Sequence, residues 1–245
     1  MFPLRDNNPT RGRPLITLAL IAVNLAVFFL WQPAASWLPD PETAQEEQQA
    51  FLFAHAAVPC EIAQGEPLDA EERFSGLCRE TPGAPIDAAK NVYVAVLASL
   101  FLHGSLFHIG SNMWFLWIFG NNMEEALGRF RYLGFYLLGG VVATLAFVLL
   151  QADQAAPLVG ASGAIAAVLG GYLALFPTRR ILGLVGVWPV PVPAALFLGL
   201  WFFGQFATQD ADIAWQAHAA GFAFGFFVTF LVRGPIHARL RRLHF

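Results

Sequence analysis

The chain has 245 residues, 57% of them hydrophobic and only 13% charged, with a mean hydropathy of +0.55 and a formal net charge of −3. A soluble domain carries about a quarter charged residues, so these values argue against a water-soluble globule. The apolar residues also fall in long blocks, the pattern of an all-α polytopic membrane protein in contact with lipid, and no nucleic-acid partner is expected.

Residues 1–14 form a polar N-terminal tail with Arg5, Arg11 and Arg13. Six candidate spans follow, at 15–31, 106–120, 132–150, 162–176, 192–207 and 215–232. Each is near the length that crosses a hydrocarbon core of roughly 30 Å, the shorter ones extending into their flanks. The first could be misread as a cleavable signal peptide. It has no small-x-small site close behind it and five more spans follow, so it is taken as a span. Residues 32–90 make the one long polar connection, with eleven acidic residues and both cysteines, Cys60 and Cys78. An even pair of cysteines on the outer side is expected to be a disulfide; two free thiols are the alternative. Residues 92–102 are apolar but are cut off by His103-Gly104-Ser105, which suggests an interfacial segment before the second span. Between the fourth and fifth spans, prolines at 189, 191 and 193 forbid a continuing helix. That segment is expected to run along the cytoplasmic interface. Residues 233–245 form a basic tail around the 15–232 membrane domain.

Eleven of the fourteen basic residues fall in the two tails and in the second-to-third and fourth-to-fifth connections. The positive-inside rule puts that side in the cytoplasm. An even span count independently puts both termini on one side, so N- and C-termini are expected to be cytoplasmic. Small residues recur every four positions in the fourth span (Gly163, Ala167, Gly171) and in the sixth (Ala217, Gly221, Gly225), faces that let membrane helices approach closely.

A rise of about 1.5 Å per residue turns sequence distance into depth. Ser162 lies seventeen residues before Arg179, and His218 fifteen before Arg233. These distances correspond to roughly 25 and 22 Å above the cytoplasmic boundary. His108 and Asn112, counted from Glu124, fall at roughly 24 and 18 Å and share one helix face. A lone serine in a span usually bonds its own backbone, and a lone histidine or asparagine is often interhelical glue. Four such groups at one outer depth from three helices point to a site instead. No HExxH occurs, and GASGA lacks the last glycine of the hydrolase elbow. No metal and no other cofactor is expected.

The stretch His103-Gly104-Ser105-Leu106-Phe107-His108-Ile109-Gly110-Ser111-Asn112-Met113, continued by Phe119-Gly120-Asn121 and Glu124, resembles the second-span motif of the rhomboid family of intramembrane serine proteases. Gly160-Ala161-Ser162-Gly163 resembles the family's GxSG nucleophile motif, and Ala217-His218-Ala219-Ala220-Gly221 with Gly225 its sixth-span AHxxGxxxG motif. The resemblance covers about residues 15–232. It implies a six-span rhomboid-like bundle in which Ser162 is the nucleophile and His218 the general base of a dyad. It also implies that His108, Asn112 and the Ser162 N–H hold the oxyanion. Substrates would be transmembrane proteins, and the location a bacterial inner membrane. Asp153, Asp210 and Asp212 all lie in short connections, so no acidic third member is expected. Where some rhomboids stack an aromatic residue on the histidine, one turn after the nucleophile, this chain has Ala166, which leaves the group orienting His218 unnamed. The outer loop also lacks the Trp-Arg pair common in the family. Other readings are a non-catalytic relative that binds membrane clients, opposed by the presence of both dyad residues, and a transporter, opposed by the lack of an inverted repeat. The fifth span, with Trp201, Phe202, Phe203 and Phe206, is read either as a lateral gate, by family analogy, or as a lipid-facing aromatic stripe.

Overall fold

The computed structural model describes residues 2–33, 41–207 and 214–244. Helices dominate, as they must where long apolar runs satisfy every backbone N–H and C=O internally. In chain order, β1 (Phe2–Asp6) precedes α1 (Leu15–Ala26), which loosens into a π turn over Val27–Trp31. The outer loop holds α2 (Pro41–His55), α3 (Pro59–Gln64) and α4 (Ala70–Ser75). Then come α5 (Val92–Ser99), α6 (Leu106–Leu127), α7 (Arg129–Leu150) and α8 (Ser162–Leu175). A hairpin of β2 (Arg180–Val185) and β3 (Trp188–Pro193) leads to α9 (Ala194–Ala207), α10 (Trp215–Leu231) and α11 (Arg233–His244).

All six apolar segments read from the sequence are helices. Among the described residues, length and apolarity single out α7, of 22 residues with mean hydropathy 2.3, as long enough to span on its own. The α10–α11 pair passes that test only jointly, across a 73° bend, and Leu15–Trp31, α8 and α9 are apolar but shorter.

The expectation of an all-α fold is corrected in one place. Residues 2–6 and 180–193, read as a tail and an interfacial run, form an antiparallel sheet of order β1-β2-β3. The alternation of proline with valine explains how. Pro189, Pro191 and Pro193 sit at every second position of the edge strand β3, where the missing N–H would point away from β2. Gly186, with φ of 62°, takes the first of two turn positions, where a positive φ suits a tight hairpin. The sheet is pinned to the helices through Asp6, whose carboxylate accepts from Asn122 Nδ2 (2.7 Å, α6) and Tyr172 OH (2.9 Å, α8).

The first N–H groups of a helix lack intrahelical acceptors. For α1 the end of α6 supplies them. Glu124 accepts from Ile16 N (3.0 Å), Thr17 N (2.8 Å) and Thr17 Oγ1 (2.9 Å), and Glu125 accepts from the N–H groups of Arg11 and Gly12. The positive end of the α1 dipole also favours this arrangement.

In the outer loop a disulfide joins Cys60 to Cys78. Glu61 and Lys90 form a buried ion pair there, and Lys90 also donates to Phe53 O. Burial raises the Glu61 pKa and lowers that of Lys90, each opposed by its partner. The loop is stitched to the connection that leads into α8. Cys60 N donates to Gln154 O (3.0 Å), Cys78 N to Asp153 O (2.9 Å), Ala155 N to Gly76 O (3.0 Å) and Leu158 N to Ala57 O (2.7 Å).

The core is built on α8, buried along nearly its whole length against α6, α7 and α10. The two small-residue faces read from the sequence do meet. A Cβ on Gly225 would lie 1.9 Å from the Ala167 carbonyl oxygen, and one on Gly221 would lie 2.3 Å from that of Gly163. One on Gly170 would lie 2.0 Å from Phe222 O. Backbone touches backbone along this interface, so any side chain there forces the helices apart.

Gly225→Ala is therefore expected to lower stability by about 1–3 kcal/mol or more, the cost of overpacking. Gly134→Ala, at a helical glycine with open space around its Cα, should be neutral or stabilising; equal effects in a detergent unfolding titration would contradict this account.

Asp6 yields a pH-dependent prediction. Burial raises its pKa from 3.8 to about 6, against the opposing pull of the Tyr172 and Asn122 hydrogen bonds and of Arg179. The folded state holds the proton more tightly than the unfolded chain, so this contribution to stability is full below pH 3.8 and is lost as pH rises through about 6. Asp6→Asn keeps an acceptor for both donors and removes the titration. Melting temperatures from pH 4 to 8 should fall in the parent relative to the variant, and parallel curves would refute the assignment.

Candidate active site

Ser162 is the first residue of α8, so its N–H and that of Gly163 have no acceptor within the helix and point into the space ahead of it. The chain reaches that point through Gly160, whose φ of 121° few L-residues tolerate. Gly160 N donates to Ser99 O (2.9 Å), and Ser99 Oγ accepts from Ala57 N. The end of α5 thereby ties the turn before Ser162 to the outer loop.

His218 lies in the first turn of α10, one turn before Gly221 at the close approach to α8. That approach brings His218 Nε2 to 2.8 Å from Ser162 Oγ. The other ring nitrogen, Nδ1, is 2.7 Å from Gln205 Oε1 on α9, and Gln205 Nε2 donates to Trp201 O (3.1 Å). The Trp201 ring lies beside the imidazole, with centroids 6.2 Å apart. Two neighbours of the imidazole besides Ser162 thus come from α9, and Ala166 is buried in the core.

On α6, Ser105 caps the helix by accepting from His108 N (3.1 Å), which sets His108 in the first turn and Asn112 one turn below it. The turn ahead of the cap is held by two glutamines. Gln32 bonds both the N–H and the carbonyl of His103, and Gln48 donates to Gly104 O. The Gly104 N–H lies 3.5 Å from His108 Nδ1, at the long limit for a hydrogen bond. It favours the tautomer with hydrogen on Nε2. A Cβ at Gly160 would be 2.7 Å from His108 Nε2 and 3.6 Å from Ser162 Oγ, so those two groups border the same small space. Asn112 Nδ2 is buried and has no hydrogen-bond partner among the described residues, an arrangement that costs free energy unless a ligand completes it.

Ser162, His218, His108 and Asn112 all line one cavity of about 680 Å³. Its wall also includes Gly140, Ala143, Ala217, Phe115 and Trp201. The four residues singled out from the sequence therefore converge. Cys60 and Cys78 do not line this cavity; their main-chain N–H groups bond the segment that leads into α8. Asp153 is engaged through its carbonyl with Cys78 N, while Asp210 and Asp212 lie outside the described residues. The sequence reading passed over Gln205, yet the signal was present. Gln205 is a lone amide in an apolar helix, the same kind of costly intramembrane polar group that drew attention to Ser162 and His218.

A family model described as Rhomboid domain matches residues 90–235. Rhomboid protein 1, mitochondrial, of Saccharomyces cerevisiae is 30% identical over 216 residues, covering 86% of this chain and 47% of the yeast protein. Rhomboid protease GluP of Bacillus subtilis is 28% identical over 220 residues, covering 89% of this chain and 35% of its own length. The human presenilin-associated rhomboid-like protein, mitochondrial, is 29% identical over 160 residues, covering 58% and 39%. The chain spans about half or less of the length of each of these relatives. The matched region runs from Lys90 to Pro235 and contains every residue bordering the cavity near Ser162, and on that ground the chain belongs to the rhomboid family of integral membrane proteins.

Proposed function

We propose that the protein is an intramembrane serine endopeptidase that cleaves peptide bonds in or near the transmembrane segments of other proteins. The observation that carries this reading is the 2.8 Å contact between Ser162 Oγ and His218 Nε2, in a cavity that also holds the unpartnered Asn112 amide. In this mechanism His218 Nε2 takes the hydroxyl proton as Oγ attacks the scissile carbonyl carbon. The resulting oxyanion is held by Asn112 Nδ2, by the His108 Nε2–H and by the Ser162 N–H at the start of α8, donors already aimed before charge develops. Collapse breaks the C–N bond, and the proton on Nε2 passes to the leaving amine. A water then enters, gives its proton to Nε2 and attacks the acyl-enzyme, and Ser162 recovers the proton as the acid leaves.

Six helices, α1 and α6 to α10, cross the membrane in this reading, with the arginine-rich side and both termini in the cytoplasm. The depth counts put the dyad in the outer part of the bilayer, where water can reach it. The domain division of 1–14, 15–232 and 233–245 is part of the same proposal. A helical peptide bond is hidden from a nucleophile, so substrates need a helix-weakening stretch near the outer face. The small residues at the cavity wall, Gly140, Ala143 and Ala217, suit a small side chain at the cut. The Bacillus relative is named as a protease, in line with this activity. The relatives include mitochondrial and bacterial proteins alike, so the expectation of a bacterial inner membrane gives way to the coarser integral-membrane assignment.

With a transmembrane substrate in liposomes, Ser162→Ala and His218→Ala are expected to reduce cleavage to background. Asn112→Ala should lower kcat by roughly 10²–10³-fold, the usual loss of one oxyanion donor. Cleavage retained by Ser162→Ala would overturn the proposal, and a client that binds Ser162→Ala and the parent equally and leaves both intact would favour the non-catalytic reading.

A further inference from the structure

The dyad has a neighbour that neither the GxSG nor the AHxxGxxxG motif contains. Gln205 stands on α9, a helix that carries neither dyad residue, and its Oε1 lies 2.7 Å from His218 Nδ1. The direction of that hydrogen bond follows from the chemistry of the amide. The NH₂ of glutamine can only donate and its oxygen can only accept. The NH₂ is engaged with the Trp201 carbonyl, one turn back on the same helix, which turns the oxygen toward the imidazole. An oxygen that only accepts requires a hydrogen on Nδ1. The neutral ring then presents a lone pair at Nε2, and the Ser162 hydroxyl donates to it across 2.8 Å. The three bonds form one chain with every donor pointing the same way, from Ser162 through His218 and Gln205 to the Trp201 carbonyl.

A glutamine in an apolar helix needs only one partner per polar end, and its own backbone can provide the donor's. The oxygen has no such need to meet the one ring nitrogen that the dyad leaves free. We propose that Gln205 is a positioning residue for His218, holding the imidazole in the Nδ1–H tautomer and in the orientation that aims Nε2 at Ser162. The inference rests on the serine-protease reading above. It assigns to a neutral amide from α9 the task that a carboxylate performs in triads, where the partner of Nδ1 fixes the tautomer.

The test uses the full chain in liposomes or detergent with a transmembrane substrate, together with a fluorophosphonate probe of Ser162. Gln205→Leu is expected to lower both kcat and the Ser162 labelling rate by roughly 10- to 100-fold, the loss typical when the partner that orients a functional imidazole is removed. KM should stay within about twofold, since substrate binding is not the step affected. Gln205→Glu keeps an acceptor for Nδ1–H but loses the donor to the Trp201 carbonyl, so it should recover part of the rate lost in Gln205→Leu. Nitrogen-15 spectra of histidine-labelled protein, with the His218 signals assigned by difference from His218→Ala, should show the Nδ1–H tautomer in the parent and in Gln205→Glu. Gln205→Leu should show a mixture. A labelling rate for Gln205→Leu within about twofold of the parent's, or an Nε2–H tautomer in the parent, would overturn the inference. The tautomer reading on the parent needs no variant, so a poorly folding Gln205→Leu does not shield the idea. Failure of the protease reading itself shows differently, as cleavage that survives Ser162→Ala and His218→Ala.

Discussion

The contact on which the rest of the site depends is the backbone-to-backbone approach of α8 and α10. Ser162 and His218 come from different helices, and no local sequence constraint fixes their separation. The glycines at 221 and 225 remove the side chains that would otherwise stand between the helices, so that the Gly163 and Ala167 carbonyls pack directly against α10. In a lipid environment there is no hydrophobic gain in bringing two apolar helices together, and close van der Waals packing has to supply the attraction. The same packing sets the 2.8 Å distance between Oγ and Nε2. The geometry of the dyad and the stability of the bundle are thus two consequences of one interface.

Around that interface, side chains at one end of the bundle hold main-chain groups of the turns that carry the site. Ser105 caps α6, Gln32 and Gln48 hold the turn before it, and Ser99 holds both Gly160 and the outer loop. The disulfide-bearing loop is fastened to the 153–158 strand of connection by main-chain bonds, so that the segment entering α8 is supported from outside. Unpaired buried polar atoms are costly, and most of those bordering the cavity have partners. Asn112 Nδ2 is an exception, and it is one of the oxyanion donors in the proposed mechanism.

Much of this was legible in the residues. The six apolar segments gave six helices because long apolar runs leave the backbone few other ways to pair its polar groups. Depth counting placed Ser162, His218, His108 and Asn112 in one layer because rise per residue is nearly constant in a helix, and they do line one cavity. Of the two readings left open for Cys60 and Cys78, a disulfide or two free thiols, the structure has the disulfide. The sheet was not legible. Strand β1 finds its partner 175 to 182 residues away, and the proline-rich run 188–193 looks merely non-helical until an edge position makes its alternation useful. The partner of His218 was missed for a different reason. The position one turn after Ser162 holds Ala166, whose methyl offers neither a ring nor an acceptor, while Trp201 and Gln205, which border the imidazole, stand on α9.

That placement gives α9 a share in the chemistry. The donors from Ser162 to the Trp201 carbonyl run across three helices, and the last bond closes within α9 itself. The face of α9 that bears Leu196, Leu200, Phe203 and Phe206 is exposed, while Trp201 and Phe202 pack on Phe222 of α10. The α9 helix packs on α10, α8 and the hairpin, and the Gln205–His218 contact belongs to its packing on α10. The choice of an amide over a carboxylate fits the surroundings. A carboxylate beside a neutral imidazole in an apolar layer would carry a desolvation cost that rivals its benefit. The glutamine oxygen fixes the same tautomer with no net charge to bury. In the proposed mechanism it would stabilise the imidazolium less strongly, which leaves more of the transition-state stabilisation to the proposed oxyanion donors of α6 and of the α8 N-terminus.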